Sequence, residues 1–208
     1  MLGLSVPALA GYLAAIVVLM VTPGPDMMFV LANATRYGTR AGVVAALGVA
    51  AGEAVHVAAV VFGLAAVISA SPVLFTAIRW LGAAYLIILA VQALRGAGTS
   101  ASGASQPGGR AGRAFLRGLV TNLLNPKMIL FSVAFLPQFV DPAAGNTTAQ
   151  LVLLGALFVT VQLTVDIALG AGAGRLAGRL ADGRWSRRIN RVCAVAFVAL
   201  GLRLAVGS

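Results

Sequence analysis

A few ionisable residues lie inside the longest apolar segments of the chain, and these are the residues that could do chemistry. Asp26 follows two prolines in VTPGPDMMFV, Lys127 follows a proline in TNLLNPKMILF, and Asp166 lies in VQLTVDIAL. A charged side chain within a bilayer costs about 3 kcal/mol on insertion scales, so such residues mark transport sites or proton relays. The sequence therefore predicts a polar site within a hydrophobic protein.

A second group combines an acid with the single histidine of the chain. Glu53 and His56 are three residues apart and share one helix face. Removing a carboxyl group from water favours its neutral form, which allows proton loading and release near physiological pH. We predict Asp166 first and Glu53 second as proton-coupling groups, with His56 either assisting them or serving as a hydrogen-bonding packing residue.

The first proline pair predicts an interrupted helix. Pro23 and Pro25 each remove a backbone donor, and Gly24 between them adds flexibility. A new half-helix is expected to begin near Asp26, and its free N–H groups suit an anion such as a carboxylate. Thr22 can add a hydroxyl donor. Asp26 has two open roles, as a cap of the half-helix or as a ligand contact.

A second interruption is predicted at Pro126. Asn122, Asn125 and Lys127 surround it in an otherwise apolar segment. The lysine is expected to face an interior cavity or a carboxylate such as Asp26, or to bracket a zwitterion together with it. The alternative is an orientation anchor near the cytoplasmic end of the helix. The predicted substrate-binding residues are Thr22, Pro23, Gly24, Pro25, Asp26, Asn122, Asn125, Pro126, Lys127 and Asp166.

Composition identifies the class of fold. Of 208 residues, 60% are hydrophobic and 10% charged, against about a quarter charged in soluble domains. The chain is predicted to be an all-α integral membrane protein with a retained, uncleaved first span. Six segments reach spanning length, at roughly 6–34, 41–69, 73–94, 115–139, 149–173 and 190–206.

The order of these segments predicts an internal repeat. Residues 96–113 are rich in Gly, Ser and Ala and are expected to form a flexible cytoplasmic linker within a single domain, 1–208. They separate halves 1–95 and 114–208, each with three predicted spans, a proline-broken first helix and one acid in the second helix. An odd number of spans per half makes the repeat inverted, the arrangement of many transporters.

The charge pattern predicts how the chain is oriented in the membrane, and the glycine pattern predicts close helix packing. The formal charge is +10, but the arginines cluster in the loops after spans one, three and five. That bias is typical of membrane orientation, places both termini outside and argues against nucleic-acid binding. Glycines repeat at a spacing that permits close helix contact, within the chain or between protomers of a homo-oligomer. These are Gly38 with Gly42, Gly48 with Gly52, and Gly170 with Gly174.

At these residues the sequence resembles the bacterial LysE/RhtB amino-acid exporters of the lysine-exporter superfamily. The matching segments are TPGPDMMFVL, GAAYLIILAVQALR, GLVTNLLNPKMILFSVAFLPQFV and TVDIAL. The resemblance implies six helices in inverted halves, a bacterial inner-membrane location and proton-driven efflux of amino acids or their derivatives. It carries the family pattern onto Pro23, Gly24 and Pro25, onto Asn125, Pro126 and Lys127, and onto Asp166.

We therefore predict a secondary exporter of amino acids, with protons and the lipid bilayer as its other partners and no cofactor. The alternative is an exporter of divalent metals or of another small solute in the same superfamily, although a metal exporter would need a cluster of His, Cys or acids. A redox carrier needs two membrane cysteines, and the chain has only Cys193. No GxSxG or HExxH motif occurs, so an enzyme is not predicted.

Overall fold

The computed structural model describes residues 5–70, 72–95, 111–173 and 183–206, and every regular element in these ranges is helical. In chain order the α-helices are α1 Val6–Val21, α2 Pro25–Tyr37, α3 Thr39–Ala70, α4 Pro72–Leu94, α5 Ala111–Leu123, α6 Pro126–Ala134, α7 Thr147–Ala171 and α8 Gly183–Val206. Two short 3-10 helices, Leu136–Phe139 and Pro142–Ala144, connect α6 to α7. The all-α prediction is confirmed.

Two predicted boundaries change. Most of the predicted linker, 96–110, lies outside the described residues, but its last three positions already belong to α5, which begins at Ala111. The last helix begins at Gly183 rather than near 190. The part of the arginine-rich stretch that the structure describes, from Arg184 onward, is therefore helical. Arginine is a good helix former, so a polar sequence at this end does not stop the helix.

The first break lies where the prolines predict it. α1 ends at Val21, α2 begins at Pro25, and the two helices are bent by 56°. Pro25 occupies the first turn of α2, where a missing N–H costs nothing, and Gly24 before it is fully extended (φ −157°, ψ 179°). The half-helix predicted near Asp26 is thus present, and it begins one residue earlier.

The second break repeats this geometry. α5 ends at Leu123 and α6 begins at Pro126, and the segments on either side are also bent by 56°. Asn125 caps α6, because its side-chain oxygen accepts a hydrogen bond of 3.1 Å from the backbone N–H of Lys127. Both predicted interruptions are therefore helix–break–helix units.

Aromatic packing joins the first half of the chain to the second. Tyr12 of α1 stacks on Phe135, and its hydroxyl donates a 2.8 Å hydrogen bond to the carbonyl of Leu154 in α7. Phe131 contacts both Phe135 and Phe158. These rings lie after the second break and beside the middle of α1. The apolar core therefore holds the two broken helices against α7.

Glycines allow close backbone contacts next to the polar residues. A Cβ at Gly48 of α3 would collide with the carbonyl of Phe115 in α5, and one at Gly52 would lie 2.8 Å from the Cβ of Asn122. Gly42 of α3 lies similarly close to Gly170 of α7. These described glycines of the predicted pairs pack within the chain; Gly174 lies outside the described residues. Gly38 instead joins α2 to α3 with a positive φ of 86°.

Four helical segments in the described residues meet the length and composition of a membrane span. Thr39–Gly63 and Thr147–Ala171 do so alone, and each bent pair does so as a unit. α4 and α8 have 23 and 24 residues, about 35 Å of helix, enough to cross a hydrocarbon core of about 30 Å. The six predicted segments are helical apart from the two breaks within the first and the fourth. Six spans and an inverted repeat remain a prediction.

Candidate functional site

The carboxylate of Asp26 is held by two asparagines from the other half of the chain. Its Oδ2 accepts hydrogen bonds from Nδ2 of Asn122 at 3.0 Å and from Nδ2 of Asn125 at 2.9 Å. Asp26 is 6% exposed, and both asparagines are buried. Because the oxygen of Asn125 caps α6, its amide group points toward Asp26. Asn125 thus connects the second break to the first.

Of the two roles predicted for Asp26, capping is not the one observed. The N-cap of α2 is Gly24, and no side chain caps this helix. Asp26 lies in the first turn, where a negative charge is favourable, but both hydrogen bonds to its side chain come from amide groups across the break. Its other oxygen, Oδ1, is buried and has no protein partner.

Lys127 binds the end of α1. Its Nζ donates hydrogen bonds of 3.1 Å to the carbonyl oxygens of both Leu19 and Thr22. The last turn of a helix leaves carbonyls unpaired and carries partial negative charge, so an ammonium group stabilises it. Lys127 is only 9% exposed, which favours the interior role over the cytoplasmic anchor. The two breaks interlock, since each holds a charged group of the other.

Two predictions about direct contacts are corrected. The structure records no ion pair between Lys127 and Asp26, because the asparagines occupy the carboxylate and the carbonyls of α1 occupy the ammonium. The Thr22 hydroxyl, predicted as a donor to a ligand, donates to the carbonyl of Val18 at 2.7 Å. Thr22 contributes to the site through its backbone oxygen instead. Pro23, Pro25 and Pro126 contribute the breaks themselves.

α7 adds a second carboxylate near this arrangement. Asp166 is buried and lies within electrostatic range of both Asp26 and Lys127. Gln162, one helical turn earlier, is also buried. Buried polar atoms are almost always paired in proteins. Several here have no protein partner: Oδ1 of Asp26, Oγ1 of Thr121, Oδ1 of Asn122, Oε1 of Gln162 and Oδ2 of Asp166. They can accept hydrogen bonds from a polar solute.

Glu53 and His56 form a cluster on α3 that lies within electrostatic range of Asp26. Glu53 is fully buried, and its Oε1 accepts a 2.6 Å hydrogen bond from the hydroxyl of Ser132 in α6. The Nδ1 of His56 lies 3.7 Å from Oε2 of Glu53, which is an ion-pair distance when the imidazole is protonated. The predicted shared face is therefore present. The described residues contain no group of three or more His, Cys, Asp or Glu that could hold a metal ion.

Sequence reasoning missed two contributors. Ser132 is a single hydroxyl in the apolar run MILFSVAF, between one and two helical turns after Pro126. Thr121, next to Asn122, is buried with an unpaired hydroxyl. Both lie within one or two turns of the predicted break, so proximity to the prolines was the available signal.

Comparison with known proteins gives consistent matches. A model of the LysE type translocator family matches residues 17–208. The chain is 35% identical over 196 residues to an uncharacterized membrane protein of Vibrio cholerae, covering 93% of this chain and 94% of that protein. It is 38% identical over 144 residues to a leucine efflux protein of Salmonella choleraesuis, covering 69% of this chain and 68% of that protein.

A relative of another named specificity matches at nearly full length. The chain is 30% identical over 194 residues to a homoserine/homoserine lactone efflux protein of Salmonella typhimurium, covering 93% of this chain and 94% of that protein. No solved structure matches the chain significantly.

Proposed function

The chain belongs to the LysE type translocator family, and we propose that it exports amino acids or their derivatives from the cytoplasm in exchange for protons. Relatives named for leucine efflux and for homoserine and homoserine lactone efflux support amino-acid export. The chain is a membrane transport protein and not an enzyme. The exchange for protons is our inference from its buried carboxylates.

The observation that carries the proposal is the interlocked pair of helix breaks with its unpaired buried acceptors. An α-ammonium group needs acceptors, and Asp26, Gln162 and Asp166 offer them. A carboxylate needs donors, and the uncapped start of α2 leaves first-turn N–H groups free. Asn122 and Asn125 line the same region. The site therefore matches a small zwitterion at both of its poles.

Alternating access follows from the two halves. In each half a broken helix precedes a long straight helix, and the counterparts α3 and α7 pack together, as do α4 and α8. Inverted repeats that meet at helix breaks are typical of transporters that rock around a central site. We propose six spans in the bacterial inner membrane with both termini outside, since the arginine-rich segments then face the cytoplasm.

Proton coupling is assigned to Asp166, with Glu53 and His56 as a second group. Asp166 is buried and lies within electrostatic range of the Lys127 ammonium. When a substrate ammonium arrives, the added positive charge shifts the protonation equilibrium of Asp166. Protonation of Asp166 on one side of the membrane and its release on the other would drive export. A divalent-metal exporter is less favoured, because the Lys127 ammonium beside these carboxylates repels a dication.

The test is accumulation of labelled amino acids in inverted membrane vesicles, with and without an imposed pH gradient. Asp166→Asn is expected to abolish gradient-driven accumulation at unchanged expression. Asp141→Asn is the matched control, because Asp141 is exposed in the α6–α7 connection, and should transport normally. Unchanged transport by Asp166→Asn would refute the coupling role. Accumulation of a metal ion or dipeptide in place of amino acids would overturn the substrate class.

A further inference from the structure

A groove with a volume of about 340 Å³ runs between α1 and α8 on the outer surface of the protein. Val17, Val18 and Val21 form one wall, and Val192 and Cys193 form the other, with Arg188 at one end. The volume lies in the range of small-ligand sites, about 300–1,000 Å³. Its walls are apolar, and among the described residues that line it Arg188 alone is charged.

The basic end of α8 lacks protein counter-ions in the described residues. Arg187, Arg188 and Arg191 are exposed there, and no ion pair in the described part of the chain involves them. The whole chain has five acidic residues. Asp26, Glu53 and Asp166 are buried in the interior, so they cannot neutralise these arginines. Asp141 lies in the α6–α7 connection, and Asp182 lies outside the described residues. No described acid therefore pairs with these arginines, and an anion from outside the protein can do so.

We propose that this groove binds an anionic phospholipid, with an acyl chain along the valines and the phosphate on Arg188. Basic pockets between membrane helices suit anionic headgroups, and each Lys or Arg near an anionic surface contributes about 1 kcal/mol. A free phosphate would gain nothing from the apolar walls, and a zwitterionic lipid would gain less from Arg188, because its own ammonium group offsets the charge of its phosphate. The proposal does not depend on which solute the protein exports.

The groove also contacts the first break. Cys193 at its base has its Sγ 3.9 Å from the carbonyl of Val18, and the thiol interacts with the Thr22 side chain. The backbone oxygen of Thr22 holds Lys127. A bound lipid therefore lies against residues that shape the site. Cys193 is the single cysteine of the chain and provides a reporter for occupancy.

Native mass spectrometry of the purified full chain tests the headgroup. Phosphatidylglycerol is expected to bind at least fivefold more tightly than phosphatidylcholine with identical acyl chains. Arg188→Gln should weaken phosphatidylglycerol binding about fivefold, the equivalent of about 1 kcal/mol, and weaken phosphatidylcholine binding by a smaller factor. Arg113→Gln, an exposed arginine on α5 outside the groove, is the control and should bind like the wild type. Equal binding of both lipids, or no effect of Arg188→Gln, would overturn the proposal.

A second pair of variants tests the acyl-chain wall. Val192 lines the groove and is 66% exposed, whereas Val195 is 71% exposed on the same helix but does not line it. Val192→Phe should fill the groove and reduce phosphatidylglycerol binding at least fivefold, while Val195→Phe should not. Maleimide labelling of Cys193 should slow when the lipid is added to the wild type.

Two other results would contradict the site. If glycerophosphate without acyl chains binds as tightly as phosphatidylglycerol, Arg188 is only a phosphate site and the groove has no role. If Val192→Phe changes dimerisation without altering lipid binding, the groove is an interface between copies of the chain. Either result rejects the lipid proposal while leaving the transport proposal intact.

Discussion

Asp26 and Asn125, 99 positions apart in the chain, are joined by a 2.9 Å hydrogen bond from the asparagine Nδ2 to the aspartate Oδ2. This bond connects the start of α2 to the start of α6, so the two helix breaks cannot move independently while it is intact. Lys127, two residues after Asn125, completes the link by binding the end of α1. If transport moves the two breaks relative to each other, the contacts of Asn125 and Lys127 must rearrange.

The Asp26–Asn125 pair is tested by exchanging the two residues. Asp26→Asn alone and Asn125→Asp alone should each reduce transport severely, since one loses the charge and the other places two carboxylates together. The double exchange restores the hydrogen bond and keeps a cap on α6, because Asp is also a good N-cap. It should regain thermal stability, with a coupling free energy of about 1.5–3 kcal/mol in a double-mutant cycle. Strict additivity of the two single variants would contradict the pair.

Removal of the Lys127 ammonium should leave the end of α1 without its hydrogen-bond donor. Lys127→Met leaves the carbonyls of Leu19 and Thr22 unpaired in the interior, at a cost of about 1–3 kcal/mol in the free energy of unfolding. Transport should also be lost. Unfolding of the purified protein measures the loss of stability, and accumulation in vesicles measures transport. Arg113→Met, which removes an exposed charge, should change neither.

Gly24 is expected to matter for space and not for backbone conformation. Its φ of −157° is open to any residue, but a Cβ there would lie 3.1 Å from the Nζ of Lys127. Gly24→Ala should therefore shift the ammonium by a few tenths of an ångström and lower the transport rate while the protein remains folded. Gly112→Ala in α5 meets no atom within 4 Å and should transport normally. Equal rates for both variants would show that the contact is unimportant.

Substitution of Gly48 tests the close packing of α3 against α5, the helix that carries Asn122. A Cβ at Gly48 would collide with the backbone carbonyl of Phe115, which cannot move aside as a flexible side chain can. Gly48→Ala should destabilise the protein by about 1–3 kcal/mol or prevent its accumulation in the membrane. Gly63→Ala, on the same helix but with no atom within 4 Å, should behave like the wild type. Thermal unfolding in detergent measures both.

Much of this architecture could be predicted from the sequence, because prolines and apolar length act locally. Pro23, Pro25 and Pro126 define both breaks to within a residue or two, since each removes a backbone donor wherever the chain folds. The straight helices likewise follow their apolar runs. Only the ends rich in polar helix formers, such as the start of α8, were misplaced.

The partners of the polar residues could not be predicted in the same way. A direct pair between Lys127 and Asp26 was one expectation, yet the ammonium of Lys127 binds the carbonyls of Leu19 and Thr22. Those acceptors are backbone oxygens left unpaired by the other break, and no residue type in the sequence indicates that they bind a lysine. Ser132 as a donor to Glu53 depends likewise on how α6 packs against α3. Contacts over 79 to 108 positions require the tertiary structure.

Equilibrium binding of the exported amino acid to the purified chain tests most directly whether the two breaks form its site. The wild type and Asp141→Asn should bind with equal affinity, whereas Asp26→Asn and Asp166→Asn should each bind at least tenfold more weakly, a loss of about 1.4 kcal/mol or more. Wild-type affinity in both Asp26→Asn and Asp166→Asn would contradict the account and place the substrate elsewhere in the protein.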